Sequence, residues 1–513
     1  MSAATVPKAL DHSHHLSDLA RARESSPLKS LIKYMGKPGI ISLGGGFPHP
    51  GYFPFDSISA NVCAPDAFPL HDAPEGTRTN ASHGVADVQK YGGDINLASA
   101  LQYTLAMGIA PLRTFIRDFT TRVFEPAYAD FVTYTHAGNT DAARWSIIVD
   151  TLFNPGQGYF TEEFTYPSAQ ATAVPHGVKP VPIKIDAQGL SAEDLRRVCV
   201  GWDEAAHGGM KRPHVLYTVP VGHNPCGTTM GAERKKSIYD ICVEYDIIIV
   251  EDDPYYFLQQ EPYALPQQRT ASTPTTDAVD GEAFLSKLAP SFLKFDYQGR
   301  VIRLDSFSKT IAPGARLGWY TCSPLFAERF ERQAETSTQN PNGFGQALVA
   351  ALLTQQWKGV DGYLRWLRGL RAQYTIRRDF TIDAFARMFV LTPREEGDTT
   401  STVLVASSSK DSKPLFEFVP PVGGMFIWMK LHLSSHPAHP STPTEVDELE
   451  RSIWVDLAEN GLLVTPGWYF NAAELKGQGH FRISFSYSDE KEMVKAIAIF
   501  ARVIKAAFGD NEE

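Results

Sequence analysis

Short apolar runs alternate along the chain with longer stretches in which apolar residues return every three or four positions, the pattern of a parallel sheet flanked by helices. Strands are predicted at His214–Val219, Ile247–Val250 and Val301–Leu304. Ile247, Ile248, Ile249 and Val250 run without a polar break, as a strand covered on both faces does, and polar residues begin at its C-terminal end with Glu251 and Asp252. A helix is predicted over Asp141–Phe153, with Trp145, Ile148 and Leu152 on one face and a stop at Asn154, Pro155 and Gly156. Another is predicted over Asp489–Phe508, capped by Ser488, where Met493, Ile497, Phe500 and Ile504 recur at helical spacing.

Three stretches replace this periodicity with Ser, Thr, Pro, Gly and charge, and read as inserted loops: about 72–94, 259–280 and 394–413. The expected organisation is a flexible tail over 1–28, an N-terminal arm and part of a small unit over 29–112, a large unit over 113–353 and the rest of the small unit over 354–513. A chain of 513 residues has room for two such units.

Composition narrows the function. Hydrophobic residues at 43% and charged residues at 21% suit a globular protein with a sizeable core. The 58 acidic against 48 basic side chains leave a net charge of −10, the wrong sign for a partner made of phosphate backbone or anionic lipid. Small-molecule chemistry is the default. Five cysteines without a CxxC pair suggest neither a disulfide framework nor a zinc knuckle, and a reducing compartment fits. No run of about 18 apolar residues suggests a membrane span, and no secretory signal opens the chain, so the cytosol is expected. His12, His14 and His15 cluster near the start, where they read as a solvated terminus or a metal-binding tract.

The densest chemistry lies in VIRLDSFSKTIAPGARLGW, residues 301–319, where a strand-like run ends in Ser306, Ser308 and Lys309 with Arg316 seven residues on. Two hydroxyls and a planar guanidinium are donors suited to a phosphate, and the lysine amine is suited to a Schiff base. The segment also reads as an ordinary loop. THAGNTDAAR, residues 135–144, carries Asn139 and Thr140 into a helix start that favours anions, or that they simply cap. Asn224 sits in GHNPCG and Tyr166 in EEFTYP. Asp252 lies three residues before Tyr255 in EDDPYY, just past an apolar strand, where α/β sheets bind ligands. In FRISF, Arg482 is either a buried cation awaiting an anion or an edge arginine reaching water.

Taken together, SFSK followed by PGARLGW and these further sites in this order resemble the fold type I pyridoxal-phosphate-dependent aminotransferases, in the branch of fungal aromatic and aminoadipate or kynurenine aminotransferases. The resemblance runs over roughly residues 25–506. It implies an α/β fold whose large domain has a mostly parallel seven-stranded sheet between helices, plus a smaller α+β domain from the two chain ends. Lys309 is then the Schiff-base lysine, and Asp252 pairs with the cofactor's ring nitrogen. Asn224 and Tyr255 bond its phenolic oxygen, and Tyr166 lies against its ring. Asn139, Thr140, Ser306, Ser308 and Arg316 hold its phosphate. Tyr103 reaches the phosphate of a neighbouring subunit, which implies a homodimer. Arg482 binds the α-carboxylate of the substrate, and Gly46, in ISLGGGFPHPGYFPF, belongs to a substrate-covering stretch. Phe426 and other aromatics, among them Phe47, Tyr52, Trp428, Trp468, Tyr469 and Phe470, suit a pocket for phenylalanine, tyrosine or tryptophan, with 2-oxoglutarate as acceptor. Lys29 stands where aminoadipate and kynurenine enzymes commonly carry arginine, so a distal carboxylate is held less well there. Aminoadipate or kynurenine transamination, a decarboxylase or lyase, and a non-catalytic protein on this fold are the alternatives.

Overall fold

The computed structural model describes residues 6–25, 34, 37–41, 43–44, 46–70, 76–78, 80–139, 142–269, 281–395, 402–409, 412–438 and 440–509, with backbone alone over 142–146. An N-terminal hairpin pairs β1 (Ser57–Cys63) with β2 (His83–Gln89). The central sheet follows with β3 (Val132–His136), β4 (Gly158–Glu162) and β5 (Lys179–Ile183). After a two-residue ladder, β6 (Ile185–Asp186) with β7 (Gly189–Leu190), it continues with β8 (Val215–Thr218), β9 (Ile248–Asp252), β10 (Val301–Ser306) and β11 (Gly318–Cys322). Its order is β3-β11-β10-β9-β8-β4-β5, and only β11 runs antiparallel to its neighbours. All residues of β4, β8, β9, β10 and β11 are buried, as expected of strands covered by helices on both faces.

The small unit is a six-stranded antiparallel sheet in the order β12-β13-β14-β15-β17-β16, formed by β12 (Val390–Glu395), β13 (Thr402–Ser407), β14 (Phe416–Phe418), β15 (Phe426–Leu431), β16 (Thr465–Pro466) and β17 (His480–Ser484). Helices Pro443–Glu459 and Glu490–Ala507 cover it, and Phe385, Phe389, Phe416, Phe418 and Phe500 interlock in its core. Truncating one of these rings to alanine would cost about 3–5 kcal/mol. The long helix Val360–Met388 joins the units: Tyr363, Leu364 and Leu367 belong to the large core, Ile382 and Phe385 to the small one.

Several elements depart from the sequence reading. The C-terminal helix is capped by Asp489, not Ser488, because the Asp489 carboxylate accepts from Glu492 N at 2.8 Å while the Glu492 side chain reaches back to Asp489 N. Two of the expected loops hold strands: β2 lies within 72–94 and β13 within 394–413. A one-faced strand needs apolar residues only at alternate positions, and buried Ala86 and Val88 suffice in β2. In the third, Gln259 and Gln260 bond to the small unit, and 270–280 lie outside the described residues.

Residues 6–25 do not form a solvated tail. Leu16 and Ala20 enter the core beside Ile147 and Leu152, and Ser17 N donates to the Thr151 carbonyl. Nor do the described residues of 29–112 join the small unit: Ala86, Val88, Ile95, Leu97 and Leu112 enter the large core, and the six-stranded sheet takes no strand from them.

Where the units meet, main chains touch. A Cβ on Gly222 would overlap the Gly424 nitrogen, and one on Gly424 would lie 2.5 Å from the Gly222 carbonyl oxygen. Alongside, Gln260 N donates to the Val422 carbonyl and Gly424 N to that of Leu258.

Candidate active site

The C-terminal ends of β3, β4, β8, β9 and β10 converge on one rim of the large sheet, the position where α/β sheets bind ligands. A cavity of about 260 Å³ opens there, lined by Asn139, Tyr166, Asn224, Asp252, Tyr255, Ser306, Ser308, Lys309, Arg316 and Phe426, with Val219, Pro254 and Pro313. Most of the residues predicted from sequence therefore share one wall.

Strand alternation separates Asp252 from its neighbours. Asp252 faces the cavity and accepts from Asn139 Nδ2 and Tyr217 Oη, each at 2.8 Å. Asp253 faces the other way, where Arg303 donates to it at 3.0 Å. Burial pushes the Asp252 carboxyl up from its ordinary value, against the two hydrogen bonds, and no cation touches it among the described residues.

Lys309 sits half-buried in the turn after β10. Burial lowers its pKa from the ordinary lysine value, and the charges of Arg316 and Arg482 lower it further. An amine made less basic in this way is suited to accept and return a proton. Beside it, Ser306 Oγ donates to Ser308 Oγ at 2.8 Å and accepts from Ser308 N at 3.0 Å. Arg316 is held in the left-handed region (φ 47°) and donates to the Pro313 carbonyl at 3.1 Å. Its guanidinium lies so close to the main chain of Gly138 that a Cβ there would come within 2.5 Å of Nη2, and Gly138 itself has φ 95°. Only glycine fits at that position.

At the small-unit side, Arg482 projects from β17 between the rings of Phe426 and Phe470, with its guanidinium carbon 4.2 and 4.9 Å from their centroids. It donates to Asn224 Oδ1 at 2.6 Å and Thr465 Oγ1 at 3.2 Å, while its Nε is buried without a partner. Burial lowers its pKa from the ordinary arginine value. No carboxylate pairs with it among the described residues, and a half-buried cation in that state has donors free for an anion. Tyr255 packs edge-on to Phe426 at 5.8 Å, and burial raises its phenol well above the ordinary range.

Other expected residues lie elsewhere. Tyr103 is 58% exposed, touches Phe47 edge-on and does not line the cavity. Gly46 is exposed, and among the described residues nothing approaches where its Cβ would be. Of the aromatics, Tyr52 and Tyr469 are exposed, Trp428 stacks on His480, and Trp468 lies under Arg451. Thr140 and Lys29 fall outside the described residues. Tyr217 was not singled out from sequence. A tyrosine in the short strand VLYT of β8, every residue of which is buried, carries the signal, since a buried phenol needs a partner.

These groups fit one kind of molecule. Two hydroxyls and a guanidinium form an anion cradle, a buried carboxylate bonded only by neutral donors suits a protonated ring nitrogen, and a weakly basic lysine lies between. Fold and site together define an aminotransferase that works with pyridoxal phosphate. Residues 138–500 match the aminotransferase class I and II family, and the chain belongs to it. It is 35% identical to an aromatic amino acid aminotransferase of Schizosaccharomyces pombe, over 98% of this chain and 99% of that one. It is 37% identical to an L-tyrosine:2-oxoglutarate aminotransferase of Tapinella panuoides, over 84% and 76% of the two chains. The crystal structure of the aminotransferase Aro8 from Candida albicans superposes with a TM-score of 0.84 at 35% identity, covering 98% of this chain and all of that one.

Proposed function

We propose that this enzyme moves the amino group of phenylalanine, tyrosine or tryptophan to 2-oxoglutarate in two half-reactions at one site. The observation that carries this reading is Arg482 between Phe426 and Phe470 beside the Lys309 cavity. One guanidinium can take an α-carboxylate in a two-pronged contact while aromatic walls receive an apolar side chain. The names of the relatives support the same substrates.

In this assignment Ser306, Ser308, Arg316 and Asn139, with Thr140, would hold the cofactor phosphate. Tyr166 would lie against the ring, and Asn224 and Tyr255 would bond its phenolic oxygen. Bound there, pyridoxal phosphate supplies an aldehyde to receive the amino group and a ring that takes up electron density. Lys309 would hold that cofactor through its amine, and the same amine, lowered in basicity, would be the base placed to take up and give back the substrate α-proton. Asp252 would face the ring nitrogen and favour its protonated form, and Asn139 and Tyr217 hold its two oxygens in place for that task.

A homodimer completes the reading, with Tyr103 reaching its partner's phosphate site. Its support is a stretch of exposed apolar side chains in the arm, Ile41, Leu43, Phe47, Tyr52 and Phe55, of which Phe47 packs edge-on against Tyr103. Gly46 lies in the same stretch, and Lys29 precedes it. Among the described residues no helix is long and apolar enough to cross a membrane, and a cytoplasmic enzyme is the reading that joins this to the cysteine pattern.

Purified enzyme given phenylalanine and 2-oxoglutarate should release phenylpyruvate and glutamate in equal amounts. Turnover of aminoadipate or kynurenine with none of phenylalanine would overturn the substrate assignment.

A further inference from the structure

We propose that His12, His15 and Asp246 form a binding site for a divalent metal ion of the zinc type, with His14 at its rim, which fastens the N-terminal segment to the large unit. One ligand atom from each of His12, His15 and Asp246 lies within 4.8 Å of the others. A tetrahedral zinc holds neighbouring donors roughly 3.4 Å apart, so side-chain adjustments of about 1 Å suffice.

The two histidines are placed before any ion arrives. His12 is 2% exposed, lies parallel to the Phe326 ring, and bonds the Gln298 carbonyl at 3.1 Å through Nε2, while its Nδ1 is buried with no partner. A buried ring nitrogen without a partner is costly unless something occupies it. His15 is 4% exposed, stacks on His214, and sets Nε2 3.1 Å from Asp246 Oδ1. His14 Nε2 lies 2.7 Å from the other Asp246 oxygen and is the nearest group for a fourth position.

Protonation favours the same outcome. Burial pushes His15 down to about 4, and burial with the charge of Arg300 lowers His12, so both imidazoles are neutral ligands at pH 7. Although burial opposes it, hydrogen bonds from His14 and His15 keep Asp246 below the ordinary carboxylate range, hence ionised. Arg300 Nη1 lies 3.6 Å from Asp246 and is the opposing charge, yet the same nitrogen is engaged by the Ile247 carbonyl at 2.9 Å.

The site is remote from the chemistry. Asp246 precedes β9 and Asp252 ends it, a separation of roughly 20 Å at strand rise. A metal here therefore acts on attachment of the N-terminal segment and not on transamination.

The test uses full-length, pyridoxal-phosphate-loaded enzyme, freed of metal by a chelator and desalted. Titration with Zn²⁺ by calorimetry should give one ion per chain, Co²⁺ should develop the visible bands of a tetrahedral nitrogen and oxygen site, and Zn²⁺ should raise the Tm. Asp246→Asn, tolerated at φ 52°, should weaken binding by at least about tenfold, remove the Tm rise and leave turnover unchanged. His15→Gln should lose binding likewise and serves if the first variant fails to fold. No binding by the wild-type enzyme, or equal binding by the variants, would show a hydrogen-bonded staple only and overturn the proposal.

Discussion

Asp252 and Asp253 are consecutive residues of one chain in opposite electrostatic settings. On the Asp253 face, Arg303 is wholly buried among Glu251 at 3.0 Å, Asp253 at 3.0 Å and Asp305 at 2.8 Å, with the rings of Phe124 and Tyr256 at 3.9 and 4.8 Å and buried Lys235 4.0 Å from Glu251. In this region each charged group has an opposite charge within 4.0 Å, and none of them lines the cavity. On the Asp252 face the carboxylate meets only a phenol and an amide, and the cations Lys309, Arg316 and Arg482 are left without carboxylate partners among the described residues. A buried charge completed by neighbours is structure, whereas one left incomplete at a cavity is a place for a ligand.

The contrast can be broken most severely at Lys309. Lys309→Ala should lower kcat by about 10⁴-fold, the upper range for losing a proton-transferring group, with the thermal unfolding profile kept. Turnover near the wild-type rate would remove Lys309 from its role. On the closed face, Arg303→Ala should cost about 3–5 kcal/mol in urea unfolding, because three carboxylates lose their shared cation. A loss below about 1 kcal/mol would mean that the carboxylates satisfy one another through protonation.

Asp252→Asn tests the open face and should reverse the pattern. We expect kcat to fall by about 10² to 10³-fold, while stability stays level or rises, since a carboxylate held up by burial is replaced by a neutral group. Unfolding of this variant at native pH would move Asp252 to the structural side of the comparison. The smallest effect belongs to Tyr217→Phe, worth about 1 kcal/mol in kcat. The phenol donates to the ionised carboxylate and so lowers its pKa. Without it the pKa rises, and the acid limb of the kcat/KM profile should move to higher pH. An unmoved limb would detach Tyr217 from Asp252.

The site was legible because its donors follow strand ends in short, unusual strings: the apolar Ile247–Val250 run located Asp252, and Ser306, Ser308, Lys309 and Arg316 stand within eleven residues. The three-residue step from Asp252 to Tyr255 selects Asp252 over its neighbour Asp253, and in the structure Asp252, not Asp253, lines the cavity. Other features depend on partners distant in sequence. Asp246 is more than 230 residues from His14 and His15, so nothing local marked the N-terminal segment as packed. Ala86 and Val88 find their apolar cover in the large core, where β2 lies against the segment Ala351–Gln356. Thr465 joins Arg482 through sheet register and Phe470 through the helical turn that follows β16, which spacing along the chain does not disclose.

The bare contact of Gly222 with Gly424 bears on how selectivity can change. Asn224 follows one glycine by two residues, and Phe426 follows the other by two. The gap between the cofactor-side loop and the substrate wall is therefore gauged by peptide groups, independent of any side chain's size. Exchanges at Phe426 can reshape the pocket while the walls keep their spacing. A methyl group added at Gly222 or Gly424 would instead wedge the walls apart and alter every substrate's fit at once.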